Sequence, residues 1–251
     1  MSLIDHPTGN YRFLPGIAPY SCGVVAAAGF EIVHVTFGHP LPYRAGITRI
    51  EKFLSESQRP KTALCAIELR SPRPFTFAGF MEFNTEYAAI LKQWGVFVER
   101  VNPVARTNVA PELFPPTEPL LHGFSYTRPS VGTVPLTFIV AGGGELPEGS
   151  LARNDIIALG DTSRRGIETK ARFVMDLMEN RLRGLGADWN AVSAVDVYTV
   201  HPIAEIVRGV ILSRMGPTTL QSVQWHYSRP PIEEIEFEMD VRGVRSDLRL
   251  D

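Results

Sequence analysis

The two halves of the chain repeat one order of secondary-structure patterns, and this repeat limits the possible folds more than any other feature. Each half starts with strand-like runs and continues through an amphipathic helix, a buried strand, a second helix and further strands. A helix that is apolar on one side has to bury that side against another layer. The repeat therefore predicts an α+β fold in which each half is a mixed β-sheet with two helices packed on one face.

Four segments carry the helical spacing of apolar residues. They are residues 45–60, 74–96, 163–188 and 201–216. The third segment is predicted to start at a cap provided by Asp161, Thr162 or Ser163. Its predicted end is Gly184 or Gly186, since glycine commonly follows the last helical turn.

The remaining runs indicate strands and a division of the chain. Residues 220–229 and 232–241 alternate between apolar and polar side chains, so we expect them to pair as a hairpin. Residues 126–134 are rich in Pro, Ser, Thr and Gly, which is typical of a linker. The prediction is two tandem domains, 1–126 and 127–251.

Composition excludes several classes of protein. The formal net charge of −2 gives no reason to expect nucleic acid or an anionic membrane as a partner. No apolar run approaches the roughly 20 residues that span a bilayer, and the N-terminus lacks the pattern of a signal peptide. The two cysteines are too few for a disulfide framework. A cytoplasmic protein is expected.

One arginine stands in an otherwise apolar strand-like run. Arg106 lies in "NPVARTNVAP", between two prolines and just before Thr107 and Asn108. Arginine is mostly exposed in proteins, so a surface position on an edge strand or a salt bridge at a subunit contact is the ordinary explanation. The alternative is a binding role, because a guanidinium holds a carboxylate through two parallel hydrogen bonds.

Both halves contain segments that resemble the RidA/YjgF family of small trimeric deaminases. In the second half, "FIVAGGGELPEG" and the run from Gly160 to Val200 match the order of that family: a strand with a small-residue turn, a long helix, a Gly-Ala loop and a "V-x-x-V-x-V-Y" strand. In the first half, "FMEFNTEYAAILKQWG" and "NPVARTNVAP" are similar to its Asn-x-x-Tyr helix and its Pro-x-Arg-Ser/Thr strand. The resemblance implies two tandem domains of the RidA-like, or chorismate-mutase-like, fold.

The resemblance also implies roles for individual residues. Arg106 would bind the carboxylate of an imine or enamine substrate. Asn84 and Glu118 would be its catalytic partners, with the glutamate positioning water, although the first could instead face solvent and the second could be a plain loop acid. The implied substrate-binding residues are Tyr87, Phe37, Gly38, Thr107 and Gly143.

The second half departs from the family pattern at its arginine strand. Thr218 and Thr219 stand where the family has its arginine, and the preceding helix lacks the Asn-x-x-Tyr motif. The second domain is therefore predicted to keep the fold and to have lost its own site. Because the family forms rings of three domains, two domains per chain imply a homotrimer, with each Arg106 pocket completed by a neighbouring domain through Gly142–Glu145.

Three other sequence features are candidates for a functional role. "AGGGEL", residues 141–146, lacks the Lys-Ser/Thr and the glycine spacing of a phosphate loop, so a tight bend is expected instead. Residues 163–165 are expected to be a helix start with solvated charges, with a second carboxylate-binding arginine as the alternative. His39 and His122 lie at strand ends and are further candidates for reaching the pocket.

The resemblance implies a deaminase that releases ammonia from a small enamine or imine carboxylate, for example a compound of the 2-aminomuconate type. Imines hydrolyse readily, so such a protein needs positioning, polarisation and proton transfer, and no metal or organic cofactor is implied. Two alternatives remain open at this point. One is a chorismatase-like hydrolase, and the other is a non-catalytic protein that binds small metabolites.

Overall fold

The computed structural model describes residues 2–216 and 223–251. The strands are β1 Ile4–His6, β2 Tyr11–Leu14, β3 Gly23–Ala26, β4 Phe30–Pro42, β5 Leu64–Arg70, β6 Ala105–Pro111, β7 Leu120–Pro129, β8 Phe138–Gly144, β9 Ala194–Tyr198, β10 Val223–His226, β11 Ser228–Arg229, β12 Glu238–Gly243 and β13 Ser246–Leu250. The helices are α1 Tyr43–Glu56, α2 Phe77–Gln93, α3 Arg164–Leu185, α4 Ala204–Ile206 and α5 Leu212–Met215, with a π-helical turn, Val207–Ile211, between the last two. The expectation of an α+β protein is confirmed.

The strands form two mixed sheets. One has seven strands in the order β1-β2-β3-β8-β12-β9-β10, and the other has six in the order β11-β6-β5-β7-β4-β13. β12 lies between β8 and β9, and β10 runs parallel to β9 on its other side. The predicted hairpin of residues 220–229 with 232–241 is therefore wrong, because β9 separates the two strands.

Strand pairing crosses the predicted domain boundary in both directions. β3 from the first half pairs antiparallel with β8, so that Val24 lies opposite Ile139. β13 at the C-terminal end pairs parallel with β4, so that Leu248 lies opposite Val35. The division at residue 126 stays a prediction, and each sheet contains strands from both sides of it.

Helix ends follow the local sequence signals. The hydroxyl of Ser163 accepts a hydrogen bond from the backbone N–H of Gly166 at 3.1 Å and caps α3, as one of the three predicted caps. Gly186 ends α3 at φ +78°, a left-handed conformation that glycine adopts without a Cβ penalty. Thr76 caps α2 in the same way as Ser163. No helix in the described part of the chain is long and apolar enough to cross a membrane.

Apolar packing arranges the elements in four layers. The face of the six-stranded sheet that carries α1 and α2 holds one cluster, with Ile50, Tyr87 and Leu91 from the helices. The seven-stranded sheet packs against α3 and the 203–215 segment in a second cluster. A third cluster contains Phe13 from one sheet and Ala105 from the other, so the remaining faces of the two sheets meet. Polar side chains at the edge of this sheet–sheet interface form the site described below.

A buried ion pair fixes the start of the loop after β8. The Lys170 ammonium on α3 lies 3.0 Å from a carboxylate oxygen of Glu145, and both side chains are fully buried. Glu145 also accepts hydrogen bonds from the backbone N–H groups of Glu236 and Phe237, at 2.7 and 3.0 Å. Such a pair positions elements more than it stabilises them, since desolvation offsets much of the Coulomb attraction. Here it ties α3, β8 and the approach to β12 together.

His34 ties the C-terminal strand to the six-stranded sheet and makes stability depend on pH. Its two ring nitrogens lie 2.7 Å from Glu68 and 2.8 Å from Asp247 of β13. Burial lowers the pKa of His34, but the two carboxylates more than offset this and raise it to about 9. The stabilisation is therefore complete below about pH 6.5, the usual histidine value, and is lost as the pH rises through 9.

Between pH 6.5 and 9, we expect His34 to lower the free energy of unfolding by roughly 1.4 kcal/mol for each pH unit. This is the slope that results when the folded state binds one proton more than the unfolded state. The His34→Gln variant should lack that contribution in urea titrations across this range. His39→Gln, at an exposed position on the same strand, is the control and should keep the wild-type slope. Equal slopes for wild type and His34→Gln would contradict the assignment.

Candidate active site

Arg106 is buried and surrounded by aromatic rings. Its side chain lies on β6 next to α2, where it donates a hydrogen bond to Oδ1 of Asn84 at 2.5 Å. The guanidinium carbon is 4.5 Å from the ring centroid of Tyr20 and 4.8 Å from that of Tyr87. Within the described part of the chain it forms no salt bridge with a carboxylate. A buried cation without an anionic partner is costly, so this arrangement is typical of a site for an anion.

A cleft opens beside Arg106, and we call it the arginine cleft. Its cavity volume is about 70 Å³. The polar side chains in its lining are Tyr20, Cys22, Arg106, Asn108, Glu148, Ser150, Arg181 and Glu238. The glycines at positions 142–144 and the segment 146–151 form much of the remaining wall. Both halves of the chain therefore contribute to one cleft.

Several polar atoms around Arg106 are buried without a partner. They are Nδ2 of Asn84, the hydroxyl of Tyr87 and Nδ2 of Asn108, none of which has a hydrogen-bond partner among the described residues. Buried polar atoms are normally satisfied, and exceptions often mark a site whose partner is a ligand or water. Asn108 lines the arginine cleft together with Arg106, whereas Asn84 and Tyr87 do not. The free amide donor of Asn108 beside a guanidinium without an anionic partner favours an anionic or oxygen-rich ligand.

Glu238 brings an acid into the same cleft. Burial raises the pKa of its carboxyl well above the usual range, and the nearby Asp240 raises it further, while Arg181 and Arg106 lower it in part. The cleft therefore favours the protonated, neutral form of this carboxyl group. A carboxylic acid held neutral in a cleft can donate a proton to a bound substrate.

Arg181 is the second guanidinium in the cleft, and it is paired. It donates to both carboxylate oxygens of Glu148, at 2.7 and 3.1 Å, and to the carbonyl oxygen of Ala141 at 2.8 Å. Burial raises the pKa of Glu148, but Arg181 outweighs it and holds that pKa below the usual range. Cys22 donates from its thiol to Glu148 at 3.3 Å, and burial raises the pKa of that thiol to about 11.

The glycine run of β8 makes room for these charged groups. A Cβ at Gly143 would lie 2.9 Å from a guanidinium nitrogen of Arg181, and a Cβ at Gly142 would clash with the carboxyl of Glu238. The predicted tight bend at residues 141–146 is corrected: residues 138–144 are a strand, and the glycines in it leave space for side chains. The backbone N–H of Gly142 donates to the hydroxyl of Thr107 at 3.1 Å.

The structure brings some of the predicted site residues together. Arg106 contacts both Asn84 and Tyr87, as described above. Gly143 lines the same cleft within the chain. Thr107 points away from the cleft and donates to Asp240 at 2.8 Å, so it links the two sheets.

Other predicted residues lie elsewhere. Glu118 is exposed in the loop before β7 and does not line the cleft. Phe37 packs against Phe124 with ring centroids 5.7 Å apart, in the cluster under α1 and α2. Gly38 lies beside β13, whose Arg249 donates to its carbonyl oxygen. Phe37 and Gly38 are corrected as neighbours of Arg106, because β5 and β7 separate β4 from β6. Glu118 is corrected in the same way, because it lies in the exposed loop before β7.

The remaining candidates from the sequence are two histidines and two threonines of the second half. His39 is exposed and His122 is partly buried near Arg70, and neither lines the cleft. Burial lowers the pKa of His122 to about 4, and Arg70 lowers it further. The predicted departure at Thr218 and Thr219 lies outside the described residues.

The sequence-based interpretation missed the acid and the second arginine of the cleft. A signal for Glu238 exists in "EIEFEMD", where Glu236, Glu238 and Asp240 alternate with Phe237 and Met239. In a strand this spacing places the three acids on one face. Arg181 gave no such signal, because a helix of 22 residues carries several arginines and only one is buried in the cleft.

No group of three or more His, Cys, Asp or Glu side chains in the described ranges is arranged to hold a metal ion. The cleft offers two guanidinium groups, a carboxyl group with a raised pKa and the unpaired amide donor of Asn108. Fold and site together define a two-sheet α+β protein whose cleft suits a small anion and proton transfer.

Comparison with known proteins then gives the family. A family described as 2-aminomuconate deaminase CnbZ matches residues 3–248. The 2-amino-5-chloromuconate deaminase of Comamonas testosteroni is 44% identical over 238 residues, which cover 94% of both chains. The chain belongs to this family of deaminases, and the expectation of a deaminase is confirmed.

Among solved structures, a chorismatase is similar to 89% of this chain and 77% of its own, with a TM-score of 0.56 and 12% identity. At that identity the likeness concerns the fold alone. A putative endoribonuclease of Thermotoga maritima covers 55% of this chain and 92% of its own, at 18% identity and a TM-score of 0.33. This score is too low to assign a fold.

Proposed function

We propose that the chain deaminates enamine carboxylates of the 2-aminomuconate type in the arginine cleft. The observation that carries the proposal is the buried, unpaired guanidinium of Arg106 beside the neutral acid of Glu238. The family and the substrate named for the 44% identical relative support the same substrate class. Arg106 would hold the carboxylate next to the C–N bond, with Asn84 fixing the guanidinium.

The reaction needs no change of oxidation state. Glu238 donates its proton to the enamine carbon, a C–H bond forms and the C–N bond becomes an iminium. Water adds to the iminium carbon and gives a proton back to the Glu238 carboxylate, which yields a carbinolamine. Glu238 then protonates the nitrogen, ammonia leaves, and the hydroxyl proton returns to Glu238. Substrate and water are thereby converted to a 2-oxo acid and ammonia.

Ammonia release measures this activity directly. Purified protein should release one ammonia per 2-aminomuconate consumed, at a rate proportional to protein concentration. In D2O, the 2-oxo acid should carry deuterium at the carbon that was protonated. Ammonia release at the rate of a protein-free blank would refute the proposal. Chorismate in the same assay format tests the chorismatase-like alternative, and we expect no turnover.

We further propose that the tandem RidA-like domains assemble as a homotrimer. Support comes from the sequence resemblance to a family of trimeric proteins. Neither the division at residue 126 nor the trimer is needed for the chemistry above.

A further inference from the structure

The two arginines of the cleft differ in one respect. Arg106 has no anionic partner among the described residues, whereas Arg181 is held by both oxygens of Glu148 and by two backbone carbonyl groups. The bidentate geometry is the one that a guanidinium uses to bind any carboxylate. Glu148 therefore occupies a ready-made carboxylate site within the cleft.

Glu148 belongs to the cleft wall, on a short loop rather than on a strand or helix. Residue 148 as a whole is exposed, yet its carboxylate reaches inward and only 25% of the side chain is accessible. Gly149, which follows it, has φ +81°, so the loop turns there. Rotation of this one side chain toward solvent would free Arg181 without disturbing β8 or α3, and the released carboxylate would be hydrated.

Resting on the proposed function, we propose that Arg181 is a second carboxylate subsite, which Glu148 fills until the distal carboxylate of a dicarboxylate substrate replaces it. The exchange keeps the charge balance, since one carboxylate leaves the guanidinium as another arrives. The thiol of Cys22, which donates to Glu148 at 3.3 Å, is available to the incoming oxygen. A monocarboxylate would reach Arg106 and leave Glu148 in place, so Arg181 sets the preference for dicarboxylates.

Binding of two matched probes tests the subsite. Muconate and sorbate share a six-carbon diene and differ by one carboxylate. Calorimetry on the wild-type chain should show muconate binding at least tenfold more tightly than sorbate. Arg181→Met should reduce muconate affinity to the sorbate level and leave sorbate affinity unchanged. Arg183→Met, an exposed arginine on the same helix, is the control and should bind both probes as the wild type does.

Glu148→Gln gives the opposite change and does not depend on Arg181→Met remaining folded. Removal of an internal competitor at millimolar effective concentration should tighten muconate binding by about tenfold and leave sorbate binding unaltered. Unchanged muconate binding in Glu148→Gln, or equal losses for both probes in a folded Arg181→Met, would overturn the subsite.

These results separate the subsite from the proposed function. Muconate binding that depends on Arg181, in a protein that releases no ammonia from 2-aminomuconate, would sustain the subsite and refute the deaminase chemistry. Ammonia release from 2-aminomuconate, together with muconate binding that changes in neither the Arg181 nor the Glu148 variant, would sustain the deaminase chemistry and refute the subsite.

Discussion

Replacing Arg106 with methionine is expected to lower kcat/KM for deamination by about 10³-fold. Loss of one partner from a buried, charge-assisted carboxylate interaction costs roughly 2–5 kcal/mol, and each 1.36 kcal/mol is a factor of ten in rate. Methionine has a similar length and fills the space among Tyr20, Phe80 and Tyr87 without the charge. The measurement is steady-state ammonia release from 2-aminomuconate.

Two further variants show whether the loss is specific to this guanidinium. Arg106→Lys keeps the charge but loses the planar fork, so we expect an intermediate loss. Arg183→Met removes an exposed guanidinium and should retain wild-type kcat/KM. The thermal midpoint of Arg106→Met should be no lower than that of the wild type, because an unpaired buried charge is removed. If a folded Arg106→Met variant turns over substrate at a near-normal rate, Arg106 does not bind the substrate carboxylate.

The Glu238→Gln variant is expected to lower kcat by about 10³-fold, within the range that general acids contribute. Glutamine has the size of glutamate and keeps a hydrogen-bond donor, but it cannot transfer a proton to carbon. The expected loss therefore falls on kcat, while KM changes little because Arg106 is intact. Glu236→Gln, two residues earlier and bound to His201 at 2.8 Å outside the cleft, is the matched control.

The pH dependence gives a second readout for Glu238. Burial holds its pKa well above the usual range. If the protonated form is the active one, kcat of the wild type should fall as the pH rises through that raised pKa. The same raised pKa means that its ionisation destabilises the fold at alkaline pH. Glu238→Gln should accordingly be at least as stable as the wild type at every pH above the usual glutamate pKa. A wild-type kcat that shows no alkaline fall before the protein unfolds would contradict the proton-donor role.

Local signals in the sequence were sufficient for the helices and for one side of the site. Apolar periodicity located the helices, and the Ser163 cap and Gly186 were within the predicted choices, because capping depends on residues within one turn. The run "NPVARTNVAP" with the Asn-x-x-Tyr helix pointed to Arg106, Asn84 and Tyr87, and the structure places these three in contact. Neighbouring elements β6 and α2 supply all of them.

The opposite side of the cleft was decided by long-range strand pairing. Glu238 and Arg181 are 132 and 75 residues from Arg106 in the chain, and they reach the cleft because β12 pairs with β8 and α3 packs on that sheet. The alternation in "EIEFEMD" predicts that its acidic residues share one face of a strand. It does not predict which part of the protein packs against that face. The misplacement of Phe37 and Gly38 has the same origin, since strand order in a sheet is a property of the whole chain. The residue pattern alone was enough to predict the helices, the α+β class and the guanidinium of Arg106. The acid and the second arginine of the cleft depend on how distant strands pair and on where α3 packs, which no local pattern specifies.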